Sequence, residues 1–493
     1  MRHHLPKAIL ASSLILSLCL GGCAVGPDFV APDSVGQGDY LRMPTPTTTA
    51  ATATNATNEV STAAAQRFNQ GADVAAKWWM VFQSEPLNAL VEQALKANPT
   101  IPAAEAALRV AQETMYAQQG AFFPTVTAGL SPTRQKIAQT LASPALSGAT
   151  FYNLHTAQLN ISYAIDVFGG NRRQVEALAA QADYQRFQLE AARTTLSTNV
   201  VGAAVQLALL NDQIAATEAS IRTAAEQLPI LRKQLSLGAI PEANVIAQEA
   251  LDAQARALLP PLQKMRAQQQ DLLAALTGRF PNELPDIALH LDDLQLPRDL
   301  PVSLPSKLVE QRPDIRAAEE QLHAASAQIG VATAALLPQL TLTAGVGSAA
   351  LRVADLFTSG TGFWSLAGGI AQPIFDGGAL RHKKRAAEAA YQQAAQQYRA
   401  TVLAAFQNVA DTLHAIRADD DAFATAATSE RATLATLKIA RRQVELGDIS
   451  YLSLLNAEQT YQQTRIALIQ ARANRFMDSV ALFQALGGGW WNR

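Results

Sequence analysis

Thr401-Val402-Leu403-Ala404-Ala405-Phe406-Gln407-Asn408-Val409-Ala410-Asp411-Thr412-Leu413-His414-Ala415-Ile416 sets Val402, Phe406, Val409, Leu413 and Ile416 at alternating steps of four and three residues. That spacing is the apolar seam of a coiled coil. Outward from it, the whole segment from Ala379 to Leu446 contains neither glycine nor proline. At a rise of about 1.5 Å per residue, nothing interrupts a rod of roughly 100 Å. Gly447 then stands where a left-handed cap ends the rod, and a second helix returns. The flanks of the seam are largely Ala, Gln and Thr instead of the charged residues of a fibrous dimer, which suits helices packed on two sides in a tube.

The same landmarks occur earlier in the chain. Asn98-Pro99-Thr100-Ile101 opens a helical stretch that ends near Phe123-Pro124, and Arg312-Pro313-Asp314-Ile315 opens one that ends near Leu337-Pro338, with equal spacing between the prolines. Asp166-Val167-Phe168-Gly169-Gly170 recurs as Pro373-Ile374-Phe375-Asp376-Gly377-Gly378, and Leu237-Gly238-Ala239-Ile240 recurs as Leu446-Gly447-Asp448-Ile449. Four landmarks in one order, about 210 residues apart, read as an internal two-fold repeat and not as a short-period solenoid. The first repeat covers 81–280, with a long hairpin over about 170–277, and the second covers 305–487, with a hairpin over about 378–486. Residues 281–304 link the repeats and 488–493 form a tail. In the first rod only Gly202 and Pro229 interrupt the pattern, so a kink is expected near Pro229.

Each repeat also holds two stretches of period two. Gln339-Leu340-Thr341-Leu342-Thr343-Ala344-Gly345-Val346 alternates throughout, and Leu159, Ile161, Tyr163, Ile165 and Val167 alternate with Asn160, Ser162, Ala164 and Asp166. Thr125 to Leu130 and Trp364 to Gln372 follow less cleanly. Strands are predicted over about 122–131, 157–168, 337–347 and 363–373. Strands of about 10 residues with one apolar and one polar face have the length to cross a bilayer as tilted β-structure. Four strands cannot close a membrane barrel, and an open edge in lipid is prohibitively costly, so several chains must combine. Two copies supply eight strands and three supply twelve; the alternation is satisfied by either.

The N-terminus reads as an export leader. Arg2, His3, His4 and Lys7 precede an apolar run from Ala8 to Leu20, too short to span a membrane, which ends in Leu20-Gly21-Gly22-Cys23. That end resembles the bacterial lipobox, so residues 1–22 form a lipoprotein signal peptide and Cys23 receives S-diacylglycerol and an N-palmitoyl chain. Cys19 leaves with the leader, so the mature chain has one cysteine and no internal disulfide. Ala24 follows Cys23, where sorting rules want Asp for inner-membrane retention, which favours delivery to the outer membrane. Residues 23–80 carry the anchor, a Thr/Ala-rich tether from Pro44 to Ala65, and an arm.

Composition removes other classes. A net charge of −2 with 16% charged residues gives no polybasic signature for nucleic acid, and 6% aromatic residues argue against a bulky globular core. His323, His382 and His414 each sit alone on helices without a second ligand a turn away, and no GxSxG, HExxH or phosphate-binding loop occurs. Asp419-Asp420-Asp421 points in three directions on a helix and reads as a solvated face. No catalytic constellation, metal site or cofactor site is predicted.

Cys23-Ala24-Val25-Gly26-Pro27-Asp28-Phe29, Trp78-Trp79 with Phe82 and Leu87-Asn88, Arg312-Pro313-Asp314-Ile315-Arg316-Ala317-Ala318-Glu319 and Gln372-Pro373-Ile374-Phe375-Asp376-Gly377-Gly378, in this order, resemble the TolC-like outer-membrane factors. The likeness is to the lipoprotein (NodT-type) branch that serves resistance-nodulation-division efflux systems. It implies a mainly α chain with a small membrane β part. Long coiled-coil hairpins would form a periplasmic tunnel, and four strands per chain would build the twelve-stranded barrel of a homotrimer. An equatorial belt would come from the N-terminal arm, the Arg279 to Leu304 linker and the tail. The implied function is the outer-membrane channel of a tripartite efflux system, partnered by a periplasmic adaptor protein, an inner-membrane pump and outer-membrane lipid. The resemblance makes Leu452 a constriction of the periplasmic aperture, with Ser453 and Asn456 facing the lumen. Relatives commonly carry Asp where this chain has Asn456, which argues against an acidic cation gate; Leu452 and Leu455 fit plain coiled-coil packing equally well. The hairpin tips, Leu237, Gly238 and Ile240 with Leu446, Gly447, Asp448 and Tyr451, would dock the adaptor. The rival readings are the duct of a type I protein secretion system and a non-conducting periplasmic scaffold lipoprotein, the latter having no use for four symmetrically placed strands.

Overall fold

Pro99 and Pro313 do open helices, because a proline at the first helical turn loses only a hydrogen-bond donor that would be unpaired anyway. The computed structural model describes residues 24–32, 39–41, 66–136, 138 and 150–492. The leader, Cys23 and the Thr/Ala-rich tether lie outside the described residues.

In chain order the elements are β1 (Arg67–Gln70), α1 (Glu85–Ala97), α2 (Thr100–Gln119), β2 (Thr125–Lys136), β3 (Phe151–Ile165), α3 (Gly170–Ser236), α4 (Glu242–Leu276), β4 (Asp299–Val302), α5 (Pro305–Gln311), α6 (Pro313–Ala334), β5 (Gln339–Ala350), β6 (Gly362–Ala371), α7 (Ala379–Leu446) and α8 (Tyr451–Ala485). The order helix, two strands, long helix, returning helix occurs twice, from α2 to α4 and from α6 to α8.

One compact unit holds residues up to 32 with 107–185 and 318–398. Its centre is an antiparallel sheet of order β2-β3-β5-β6. The strands β2 and β3 reach well beyond the predicted ends, to Lys136 and back to Phe151. In that extension Ser131-Pro132-Thr133-Arg134-Gln135-Lys136 has no apolar face, so alternation could not reveal it. Pro132 is accommodated because β2 is an edge strand paired only with β3.

The other unit comprises 33–106, 186–317 and 399–493. Here the middle of α3 is largely buried, with Val200, Val201, Ala204, Val205, Leu207 and Ala208 all fully enclosed and only the stripe of Thr195, Asn199, Gly202 and Gln206 reaching the surface. The helix contains a window apolar enough to cross a membrane, but 72% of that window is buried, as in a core helix. α3 runs unbroken through Pro229, and Ala224 and Leu231 are buried on either side of it. Packing on both sides of the missing hydrogen bond keeps the segment helical through the proline. α4 likewise continues through Pro260 and Pro261.

In this unit the arm, the linker and the tail meet. β1 pairs in parallel with β4. Trp78 stacks on Phe483 at 5.2 Å and Phe82 packs against Phe476 at 6.1 Å. Trp490 Nε1 donates to the Gln311 carbonyl at 2.7 Å, and Trp491 Nε1 to Asp73 Oδ1 at 2.8 Å. The Gly487-Gly488-Gly489 turn that brings these indoles back has positive φ at all three residues.

Candidate functional site

The sheet of the first unit has two faces of opposite character, and its register assigns them. Residues directly opposed in antiparallel strands point to the same side. Val126 faces Ile161, Ala128 faces Leu159, and Leu130 faces Ala157. Leu159 in turn faces Val346, Ile161 faces Ala344, and Tyr163 faces Leu342. Val346 faces Trp364, Ala344 faces Leu366, and Leu340 faces Ile370. Over these positions four strands contribute a continuous uncharged surface, and Arg134 and Lys136 follow on the same face at the far end of β2. Trp364, Leu366 and Ile370 are each more than 70% exposed among the described residues. The opposite face carries Thr125, Thr127, Asn160, Ser162, Thr341 and Thr343. A contiguous exposed apolar patch of this extent marks an interaction surface, and its alternation with polar residues matches a wall between lipid and water.

At the end of this sheet the segment that follows Cys23 is seated against the helices. Val25 N–H donates to the Phe168 carbonyl at 3.0 Å, and Arg173 Nε donates to the Val25 carbonyl at 3.1 Å. Asp28 pairs with the buried Arg173 at 2.6 Å. Phe29 stacks on His323 at 4.4 Å, and the His323 ring lies between Glu176 and Glu320 at 3.2 and 3.3 Å. Gly26 has φ +101°, and a side chain there would collide with Gly330. His323 is therefore a packing and hydrogen-bonding residue.

In the second unit each hairpin tip closes by the same motif. Ala239 N–H donates to the Gln234 carbonyl and Gly238 N–H to that of Leu235; Asp448 and Gly447 repeat this with Gln443 and Val444. Gly238 and Gly447 have φ +71° and +80°, with open space around each, so backbone conformation alone selects glycine. Leu237 and Leu446 project into solvent, Asp448 is exposed and Ile240 is half-buried. Tyr451 turns inward instead. Its hydroxyl donates to Gln248 Oε1 at 3.0 Å and Gln227 Oε1 at 3.3 Å, on the two helices of the first hairpin. Burial, and then the Glu458 carboxylate, raise its phenol above the ordinary value, so it stays a donor. Glu458, itself buried, accepts from Gln227 Nε2 at 2.9 Å and pairs with Arg441 at 3.2 Å. One turn along α8, Leu452, Ser453 and Asn456 share an exposed face, whereas Leu454 and Leu455 are buried. The two leucines that sequence could not separate therefore differ, Leu455 packing within the chain and Leu452 standing free of it.

The profile of a family described as outer membrane efflux protein matches residues 90–279 and again 304–488. The chain belongs to the outer membrane efflux protein family. This efflux protein is similar to the pyoverdine export outer membrane protein OpmQ of Pseudomonas putida, at 30% identity over 84% of this chain and 88% of that one. It is also similar to the antibiotic efflux pump outer membrane protein ArpC of Pseudomonas putida, at 29% identity over 98% and 96%. Among solved structures, the outer-membrane channel OprN superposes with a TM-score of 0.84 at 26% identity, over 95% of this chain and 100% of that one. The fold is that of the TolC-like channels.

One expectation is corrected inside the efflux protein's second hairpin. Asp419-Asp420-Asp421 is not a solvated face throughout, because Asp420 is buried and pairs with the equally buried Arg475 at 2.5 Å. The Arg475 guanidinium also lies over Phe423 at 4.8 Å. Beside this pair, burial and then the neighbouring Asp419 carboxylate push Asp478 up to about 7. The folded chain then keeps a proton that the unfolded chain loses near its ordinary value of 3.8. A pKa raised by folding gives stability that is complete below the unfolded value and is lost as pH rises through the folded one. Thermal unfolding midpoints should accordingly fall between about pH 4 and pH 7 and level off above. Asp478→Asn should flatten that slope; an unchanged slope in the variant would assign the titration elsewhere.

Proposed function

We propose that three copies of this outer-membrane efflux channel join edge to edge, β6 of one beside β2 of the next, to close a twelve-stranded barrel above a tunnel of helical hairpins. The apolar face of the sheet carries this reading. It is too large and too exposed to serve a single soluble chain, and the unpaired edges of β2 and β6 are tolerable in lipid only when another copy covers them. The repeated order of elements supports a duplicated chain in which each half gives two strands and one hairpin to the ring. Cys23 would hold the N-terminus to the same membrane through its lipid, with the arm, linker and tail forming a belt around the helices.

The two hairpins then divide the work at the periplasmic end. Leu452, Ser453 and Asn456 become rings under three-fold symmetry, and an apolar ring at Leu452 narrows the aperture. With Asn456 in place of a carboxylate, the ring below it does not select cations. Leu237, Gly238, Ile240, Leu446, Gly447 and Asp448 offer the tips to a periplasmic adaptor, which would open the aperture for an inner-membrane pump. Tyr451, turned inward, serves as a tie between hairpins and not as a docking residue. The two relatives are named for pyoverdine and for antibiotics, which fits a duct that leaves selection to its pump.

The test is planar-bilayer conductance of the purified mature protein, with cross-linking for subunit number and intact mass for acylation. The expected result is a trimer of low conductance bearing acyl chains on Cys23. A stable monomer that never conducts would overturn the channel, and an unacylated Cys23 would overturn the anchor alone.

A further inference from the structure

The two strand-to-helix junctions of the first unit treat their cations differently. After β3, Arg173 is buried and neutralised within the chain by Asp28 and Glu176. After β6, the chain runs through Pro373-Ile374-Phe375-Asp376-Gly377-Gly378 into α7, which begins with Arg381-His382-Lys383-Lys384-Arg385 within its first two turns. Ile374 and Phe375 are 92% and 90% exposed. Of the five basic residues, only Lys384 has an ion pair among the described residues, with Glu388 at 3.7 Å.

Folding alone disfavours this cluster. Asp376 caps the positive end of α7 by accepting from the Gly378 and Leu380 N–H groups, but the first turn itself has no acidic residue to pair the cluster, and Arg381 and Arg385 stand one turn apart as like charges. An anion from outside the chain would offset those costs. The register shows which end of the sheet is involved. Ile165 of β3 and Ile370 of β6 both oppose Leu340, so the two junctions emerge at one end. At that same end Ala24 abuts Gly169 and Val25 is tied to Phe168. Cys23 precedes Ala24, so on the outer-membrane channel reading this end meets the leaflet that holds the acyl chains. Five consecutive helical residues cover a full turn, so at least two cations face outward whatever the rotation of α7.

We propose that Ile374, Phe375 and the Arg381 to Arg385 cluster form a docking surface for anionic phospholipid headgroups in the periplasmic leaflet of the outer membrane. The apolar pair enters the interfacial layer while the cations bind phosphate just beneath it. This rests on the channel reading above. With about 1 kcal/mol per cation near a charged surface, three free cations give an expected preference for anionic over zwitterionic lipid on the order of a hundredfold.

Full-length protein in phosphatidylcholine vesicles, doped with spin-labelled phosphatidylglycerol or spin-labelled phosphatidylcholine, tests it through the immobilised fraction in electron spin resonance. Wild type should immobilise phosphatidylglycerol preferentially. The triple variant Arg381→Gln, Lys383→Gln, Arg385→Gln should approach parity, and Arg134→Gln, Lys136→Gln at the far end of β2 should keep the preference. In wild type the preference should collapse near 1 M salt, where screening acts within about 3 Å, a check that needs no variant. A preference retained by the triple variant, or retained at high salt, would overturn the proposal. So would an altered anion permeability with unchanged lipid preference, which places these cations in the lumen. Loss of conductance by wild type in the same vesicles would instead count against the channel itself.

Discussion

Ala344→Arg is expected to keep the protein out of the membrane. Ala344 lies midway along β5, opposed by Ile161 on one side and Leu366 on the other, in the centre of the apolar face. An arginine on the lipid side of a barrel near the bilayer midplane costs about 2–4 kcal/mol, and the proposed trimer would carry that cost in every copy. The fraction of protein resistant to urea extraction from outer membranes should fall at least thirtyfold. Thr343→Arg supplies the contrast, because Thr343 belongs to the polar face and its cation would reach water. Should Ala344→Arg insert normally while Thr343→Arg fails, the two faces are assigned the wrong way round.

Removal of the tie between hairpins should have the opposite sign and act at the other end of the chain. In the double variant Tyr451→Phe, Glu458→Ala the second hairpin loses its hydrogen bonds to Gln227 and Gln248 and its pairing with Arg441. Net contributions of about 1–3 kcal/mol, some of them charge-assisted, correspond to roughly a five- to hundredfold shift toward an open aperture. Single-channel recordings should show more frequent or larger openings, with thermal stability of the arm and tail region little changed. Conductance equal to that of wild type in a well-folded trimer would mean that this network only packs the hairpins together.

The helices and strands were legible because each carries its own period. The seam from Val402 to Ile416 is buried at Val402, Val409, Leu413 and Ile416 and half-buried at Phe406, and the glycine caps at 238 and 447 stand where φ must be positive. What escaped was whatever depends on partners distant in sequence. Pro260 and Pro261 lie inside α4 although proline is the residue least suited to a helix interior, so the extent of that helix is not set by local preference. Asp420 looks like surface until Arg475 is brought against it from the returning helix. Gln227, Gln248 and Tyr451 have no local signal, since a buried glutamine in a coiled coil is indistinguishable from a solvated one until its neighbour is known. The site was thus readable in its faces and turns but not in its cross-ties.

The seat of the N-terminal segment also has a meaning in time. Val25 and Gly26 are among the first residues made, yet their partners Phe168, Arg173 and Gly330 are about 140 to 300 positions later in the chain. Contacts of such separation close late, after the local helices have formed. This segment therefore takes its seat only after most of the chain has been made. It is locked down only once α3 and α6 have come together, so a completed seat certifies that both halves of the chain have folded.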